Sequence, residues 1–156
     1  MQTVNSTPAD AHGRRAAWMR VLALAEPGVL DQAVQALGPL PVHSTLRPPE
    51  SGMAMVRARS GGTGAQFNLG EMSITRCAVT LESGTMGVGY VPGRARRHAE
   101  HAAVLDALLQ RDEWHDRIQA GVIAPLAQAQ AERARHQARV AAQTQVEFFT
   151  MVRGED

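Results

Sequence analysis

The first part of the chain carries apolar side chains at the spacing of an α-helix. From Ala9 onward, residues such as Val21 and Leu24 recur three or four positions apart, which is the period of one helix face. Pro27 ends this helix and is well suited to the first turn of the next one. A second, shorter helix is therefore predicted over Val29–Leu37.

The period then changes to the alternation that is typical of β-strands. Strands are predicted at four places, namely Val42–Leu46, Met53–Arg59, Gln66–Leu81 and Thr85–Val91. Turn-forming residues separate them at Pro48–Gly52, Gly61–Gly64 and Ser83–Gly84. A change of phase around Arg76 indicates either a β-bulge or a strand that is buried on both faces.

The helical period returns after Pro92. One helix is predicted from Arg94 to about Arg111, and another from about Pro125 to Thr144. In the first of these two helices, four side chains are predicted to face the core: Ala102, Leu105, Leu108 and Leu109. The last apolar segment, Val146–Arg153, alternates like a strand.

This order of elements predicts an α+β fold. An antiparallel sheet of four or five strands is flanked by N-terminal and C-terminal helices, and one of the strands is terminal. Residues 1–8 are polar and are expected to be disordered. The remaining residues, 9–154, have the length of a single domain.

Composition narrows the function classes. Only 4% of the 156 residues are aromatic, so a core has to be built from small aliphatic side chains that pack closely. The net charge of +1 argues against a nucleic-acid-binding protein. The single cysteine, Cys77, excludes an internal disulfide and a zinc site made of thiolates from this chain. No signal peptide or membrane-spanning run is recognised, which predicts a cytoplasmic protein with no membrane partner.

A glycine-rich segment is the first candidate for chemistry. Arg59 is followed one residue later by Gly61, Gly62, Thr63 and Gly64. Backbone amides of such a loop can hold a phosphate. No Lys-Ser/Thr pair follows, however, so the loop is not a Walker motif. A plain hairpin turn is the favoured interpretation, and phosphate or partner binding is the alternative.

A second candidate lies where the third helix begins. Arg94 follows Gly93, and His98, Glu100 and His101 come within the next two turns. Guanidinium groups at a helix N-terminus suit an anion. His98 and His101 are one turn apart, but no third ligand is recognised, so no metal site is predicted. A solvated helix start and a surface near a phosphate or a partner remain as alternatives.

Two C-terminal features suggest partner contacts. Alanines recur with a spacing of four and three, as in a coiled-coil seam: Ala127, Ala131, Ala134, Ala138 and Ala141. An exposed helix explains the same pattern, because alanine has the highest helix propensity. The terminal segment adds four further candidates, Phe148, Phe149, Met151 and Arg153. It pairs either within the domain's own sheet or with a partner.

Read in order, these segments resemble the PhnG family of the phosphonate C–P lyase system. The similar residues are the Arg-x-Gly-Gly-Thr-Gly loop at 59–64, Phe67, Gly70, residues 89–100, Ile-Ala-Pro-Leu at 123–126 and Val-Glu-Phe-Phe-Thr-Met-Val-Arg-Gly at 146–154. The similarity runs from about Trp18 to Gly154. Residues 1–13 match no family pattern, Asn68 stands where an aromatic residue is more common, and Cys77 is unusual.

The resemblance implies an accessory subunit of the C–P lyase core complex, with PhnI as the direct partner, PhnH and PhnJ in the same complex, and PhnL as a transient one. With PhnI, PhnH and PhnL, such subunits support attack of methylphosphonate on C1′ of MgATP. Adenine leaves and α-D-ribose 1-methylphosphonate 5-triphosphate forms. The nucleosidase chemistry is attributed to PhnI and the later radical cleavage to PhnJ. No catalytic residue and no cofactor are implied for this chain.

Two alternatives remain open. The chain contributes residues such as Arg94 or the glycine loop directly to a partner's active site, or it is an independent small-ligand enzyme unrelated to phosphonates. A structural subunit is the favoured interpretation.

Overall fold

Helices pack against one face of an antiparallel sheet. The computed structural model describes residues 8–60 and 63–143. The elements are, in chain order, α1 (Pro8–Ala23), α2 (Pro27–Ala36), β1 (His43–Arg59), β2 (Gln66–Leu81), β3 (Met86–Pro92), α3 (Arg96–Leu109), α4 (Asp112–Ile118) and α5 (Ala124–Gln143). A π-helical segment, Gln119–Ile123, joins α4 to α5. The predicted α+β class is confirmed.

The sheet has three strands among the described residues, in the order β1-β2-β3. The predicted number of four or five is not confirmed, and the predicted terminal strand at 146–153 lies outside the described residues. The predicted turn at residues 48–52 is wrong, because β1 runs straight through it. Two register shifts, between Thr45 and Arg47 and between Arg47 and Glu50, absorb Pro48 and Pro49. An edge strand with bulges tolerates proline, since the missing N–H bond is not needed on its outer side.

The predicted irregularity at Arg76 belongs to the neighbouring strand. In β2, Thr75, Cys77, Val79 and Leu81 are buried in unbroken alternation, so that strand is regular there and has one fully buried face. The extra residues lie opposite, in β1. The side of the sheet that carries these buried residues faces the helices and is called here the helix-side face; the other is the open face.

The core is centred on α3. Ten of its residues are buried, including all four that the sequence turns inward, Ala102, Leu105, Leu108 and Leu109. The sheet covers one side of α3, while α1, α2 and α4 contact its other sides. Trp18 is the one aromatic side chain in the described core, which otherwise consists of aliphatic residues and Cys77. The predicted small-residue core is confirmed.

Strand β3 lies unusually close to α3. A Cβ atom on Gly87 would be 2.0 Å from the carbonyl oxygen of Ala103, and one on Gly89 would be 2.2 Å from that of Ala99. Both distances are far below van der Waals contact, so only glycine permits this approach. The helix contributes alanines at the same surface, which brings the two backbones together without large side chains.

A buried carboxylate holds α1, α3 and β3 together. Asp106 of α3 is fully buried. Its Oδ1 accepts hydrogen bonds from Arg15 Nε at 3.1 Å and Trp18 Nε1 at 2.9 Å. Its Oδ2 accepts from Arg15 Nη2 at 2.7 Å and the Val88 amide at 3.0 Å. Two donors on each oxygen satisfy the carboxylate, as a buried charge requires.

The final helical stretch begins in the core and then leaves it. Helix α4 was not predicted; its Ile118 and the following Val122, Ile123 and Leu126 are buried. From Ala131 to Gln143 every residue of α5 is exposed, a length of about 20 Å at 1.5 Å per residue. The predicted helix over 125–144 is confirmed as far as residue 143, and its last 13 residues are all exposed.

Candidate functional site

Strands β1 and β2 extend as a ribbon beyond β3. The last pair between β2 and β3 is Ile74 with Pro92. Proline cannot continue the ladder, and Gly93 then turns the chain away with a φ of 81°. Residues 52–59 and 66–73 therefore form a two-stranded hairpin, called here the arm. Eight residues per strand give it a length of about 26 Å.

The predicted glycine loop forms the tip of the arm. Arg59 Nη1 donates a hydrogen bond to the carbonyl of Gly64 at 3.0 Å, and the Gly64 amide donates to Ser60 at 3.1 Å. Thr63 is exposed. Gly61 and Gly62 lie outside the described residues. The loop joins β1 to β2, as the hairpin interpretation predicts, and Arg59 closes it through its contact with Gly64.

Arg94 lies at the other end of the arm. It is exposed and makes no hydrogen bond or ion pair with the described residues. The first turn of α3 beside it has no side-chain cap. Because the Gly93 amide bonds to Ser73 O, seven strand residues separate Arg94 from the tip, about 23 Å. The structure therefore does not bring the two candidate phosphate-binding segments together.

His98 belongs to the core and not to the exposed surface around Arg94. It is 5% exposed, and its Nε2 is 2.7 Å from the carbonyl oxygen of Leu22. A carbonyl only accepts, so Nε2 carries the proton and donates it to the end of α1. Glu100, half-buried on α3, has no hydrogen bond or ion pair to the described residues.

The contact with Leu22 makes His98 a structural residue, which a substitution can test. His98→Ala is expected to destabilise the fold by about 1–3 kcal/mol, because the Leu22 carbonyl is left buried without its donor. Thermal or urea denaturation measures this. His136→Ala, at an exposed position of α5, is the control and should change stability by less than about 0.5 kcal/mol. Loss of a bound metal equivalent in His98→Ala would contradict the structural role.

His101 faces α2. Its Nδ1 is 3.0 Å from Oδ1 of Asp31, although the ring is not aligned for a hydrogen bond. Arg97 Nε contacts the same oxygen at 3.1 Å. Burial lowers the pKa of His101, and the Asp31 carboxylate partly offsets this. No group of three or more potential metal ligands is present in residues 8–60 and 63–143.

Cys77 is also poorly placed to act as a nucleophile. It is 2% exposed, and its Sγ lies 3.4 Å from the carbonyl oxygen of Arg47. Burial raises the pKa of the Cys77 thiol. The thiolate, which is the reactive form, is therefore disfavoured.

The predicted alanine seam borders an open groove. Ala127 is half-buried, and Ala131 and Ala134 line the groove. It lies between α5, Val21 of α1 and Leu24, which directly follows α1, and it measures about 600 Å³. Ala138 and Ala141 lie on the exposed end of α5. The four terminal candidates, Phe148, Phe149, Met151 and Arg153, lie outside the described residues.

Sequence patterns did not reveal the most conspicuous surface, which is the arm itself. Met53 and Met55 pair with Ser73 and Glu71 on the helix-side face, and both are more than half exposed. Phe67 and Met72 are on the open face, with exposures of 46% and 39%. Alternation predicted strands here. It did not reveal that β1 and β2 extend beyond β3 as a ribbon whose two faces are not covered by any of the described residues.

Comparison with known proteins identifies the chain's relatives. Residues 13–154 match the family model described as "Phosphonate metabolism protein PhnG". The chain belongs to the PhnG family. It is 41% identical over 138 residues to "Alpha-D-ribose 1-methylphosphonate 5-triphosphate synthase subunit PhnG" of Rhizobium meliloti (strain 1021), an alignment that covers 88% of each chain.

Family membership confirms the resemblance that the segments predict. The match includes the glycine loop, the region around Arg94 and the terminal segment that begins at Val146. The relative is named as a subunit of a synthase, so it is part of a multi-subunit enzyme. Among the described residues of this chain, no helix is long and apolar enough to cross a bilayer.

Proposed function

We propose that this chain is an accessory, non-catalytic subunit of α-D-ribose 1-methylphosphonate 5-triphosphate synthase in phosphonate catabolism. The observation that carries the proposal is the 41% identity to the synthase subunit of Rhizobium meliloti across 88% of both chains. The substrates of the assembly are MgATP and methylphosphonate. The chain itself needs no cofactor in this proposal, and it works in the cytoplasm.

Two parts of the chain that project from the core support a role in assembly. The arm and the outer half of α5 both project from the core, and the arm exposes large apolar side chains. Uncovered apolar surface of this kind is typical of sites where another protein binds. The buried state of Cys77 and His98 is consistent with a subunit that contributes no nucleophile or general base.

The partners that we propose are PhnI as the direct one, with PhnH and PhnJ in the same core complex and PhnL as a transient component. The alanine face of α5 suits a neighbouring helix, because small side chains allow two backbones to approach closely. The terminal segment with Phe148 and Phe149 is proposed to take part in the same assembly.

Co-expression tests the proposal. The chain is produced with PhnH, PhnJ and affinity-tagged PhnI of the same organism, and the purified assembly is assayed with PhnL for ribosyl transfer from MgATP to methylphosphonate. We expect the chain to be retained with PhnI and the activity to be lost when it is omitted. Failure of the chain to associate, or full activity without it, would contradict the proposal.

The exposed Arg94, which has no partner among the described residues, favours one second candidate function. In this alternative its guanidinium reaches the triphosphate in a partner's active site. The structural role predicts that Arg94→Ala weakens assembly while activity per assembled complex stays within about 2-fold. The alternative predicts intact assembly with a loss of about 100-fold or more, as is typical when a charge-stabilising donor is removed.

Both measurements are made on the same preparation. Retention on tagged PhnI reports assembly, and product formed per retained chain reports activity. Bound metal is measured as well and is expected to be unchanged in Arg94→Ala. Arg135→Ala, at an exposed position of α5, is the matched control and should leave both quantities near those of the wild type.

A further inference from the structure

The arm carries apolar side chains on both of its faces, which a simple surface loop would not need. Met53 and Met55 are on the helix-side face, and Phe67 and Met72 on the open face. Leu69, at the register shift in β2, is 63% exposed. An isolated two-stranded hairpin is only marginally stable in water. An apolar ribbon of this length therefore calls for cover on both faces.

The size of the arm limits how it can be covered. One face of a ribbon two strands wide and about 26 Å long measures about 260 Å². A specific interface usually buries about 800 Å² on each partner. Contact through one face is therefore too small by about a factor of three, whereas enclosing both faces and both edges brings the arm close to the usual area.

The charges near the tip indicate what surrounds it. Arg57 and Arg59 are both exposed there, and Glu71 is the single acidic residue of the arm. One groove of this chain contains Glu26 and Glu132, but Arg133 lies beside them and contacts Glu26 at 4.0 Å. The groove of about 600 Å³ between α1 and α5 contains Arg20 and Arg133 and no carboxylate. That groove would repel the arginines of a second copy's arm. A cleft with carboxylates at its inner end would instead pair with them.

We infer that the arm inserts into an apolar, acid-lined cleft of a different subunit of the synthase. This inference rests on the proposed function and specifies the surface that mediates assembly. Apolar walls cover Met53 and Met55 on one side and Phe67 and Met72 on the other. Carboxylates of the partner contact Arg57 near the tip.

The experiment uses the co-expressed assembly with tagged PhnI, PhnH and PhnJ. Two double variants each remove one apolar face: Met53→Ser with Met55→Ser, and Phe67→Ser with Met72→Ser. Each is expected to lower the chain retained per PhnI by about 10-fold or more, as loss of central apolar anchors does. Arg57→Glu is expected to have a similar effect, because like charges then meet in the cleft.

The matched control replaces exposed apolar residues outside the arm. Val29→Ser with Val42→Ser removes comparable side chains, each at least 43% exposed, and should keep retention within about 2-fold. Melting of the purified chains checks that all variants fold. A measurement without substitutions is hydrogen exchange, in which residues 52–59 and 66–73 should become protected on assembly.

Each outcome has a definite meaning. If wild type fails to associate, the proposed function itself is wrong. If wild type associates but both double variants are retained normally, or only one of them is affected, insertion of the arm is wrong while the proposed function stands. An arm-dependent dimer of the isolated chain would assign the arm to a second copy and overturn the inference, as would unprotected arm amides in the assembly.

Discussion

Replacing Gly87 by alanine is expected to destabilise the fold by about 3 kcal/mol or more, the upper end of what overpacking costs. The added Cβ would lie 2.0 Å from Ala103 O, 2.5 Å from the Ala107 amide nitrogen and 2.7 Å from Ala107 Cβ. Two of these atoms are helix backbone, so no side-chain rotation relieves the clash. Either α3 moves away from the sheet or β3 loses its pairing with β2.

Thermal denaturation of the purified chain measures this effect. For a chain of this size, about 3 kcal/mol corresponds to a fall in Tm of roughly 6–12 °C. Gly13→Ala is the matched control, because a Cβ there meets no atom within 4 Å and the residue lies inside α1. The control should be neutral or stabilise by up to about 1 kcal/mol, since alanine has the higher helix propensity. Equal stability of the two variants would show that β3 and α3 are not in close contact.

The close contact between β3 and α3 was only partly predictable from the sequence. The scarcity of aromatic residues predicts small, closely packed side chains, and that expectation is confirmed. Gly93 indicated an anion site instead, because glycine followed by arginine is typical of anion-binding helix starts, and no packing role was predicted for Gly87 and Gly89. A glycine that packs against a helix and a glycine that approaches a phosphate look identical in a sequence, and only tertiary contacts distinguish the two roles.

Secondary structure was predictable where a single hydrophobic period dominates the segment. It was not predictable at the edge of the sheet, where the pairing of strands decides the structure. The buried side of α3 and the boundaries of α5 follow from local spacing. Pro48 and Pro49 indicated a turn, yet β1 continues through them because none of the described strands lies on its outer edge and needs their N–H groups. The end of β3 near Pro92 was predicted, because the helical period resumes there. The continuation of β1 and β2 beyond it as the arm depends on the register between the strands, which local spacing does not show.

Asp106 shows the same limit in a single residue. In the sequence it is the one charged residue of the apolar stretch 102–109, and no local pattern marks it. Its partners Arg15 and Trp18 are 91 and 88 positions away. Their pairing arises only when α1 packs across α3. Fold class and family could therefore be predicted from the sequence, whereas the interactions that fix the relative positions of the helices and the sheet could not.

Asp106→Asn is expected to destabilise the fold by about 3–5 kcal/mol, the range for a buried pair that loses one charge. The carboxylate accepts four hydrogen bonds, and an amide of the same shape accepts on one atom only. Its NH₂ group would then face two donors, either Arg15 and Trp18 or Arg15 and Val88. The Trp18 indole N–H is buried, so water cannot easily replace the lost acceptor.

Two further variants separate the charge of Asp106 from its hydrogen bonds. Arg15→Met should cost at least as much as Asp106→Asn, because it leaves the fully buried Asp106 carboxylate without a countercharge and with bonds from Trp18 and Val88 only. Asp116→Asn, at an exposed position of α4, should stay within about 0.5 kcal/mol of wild type. Urea denaturation of the three variants gives the order. If Asp106→Asn matches Asp116→Asn, the carboxylate does not hold α1 and β3 to α3. If Asp106→Asn and Arg15→Met are both strongly destabilised, the bonds of Asp106 join these elements in the folded chain.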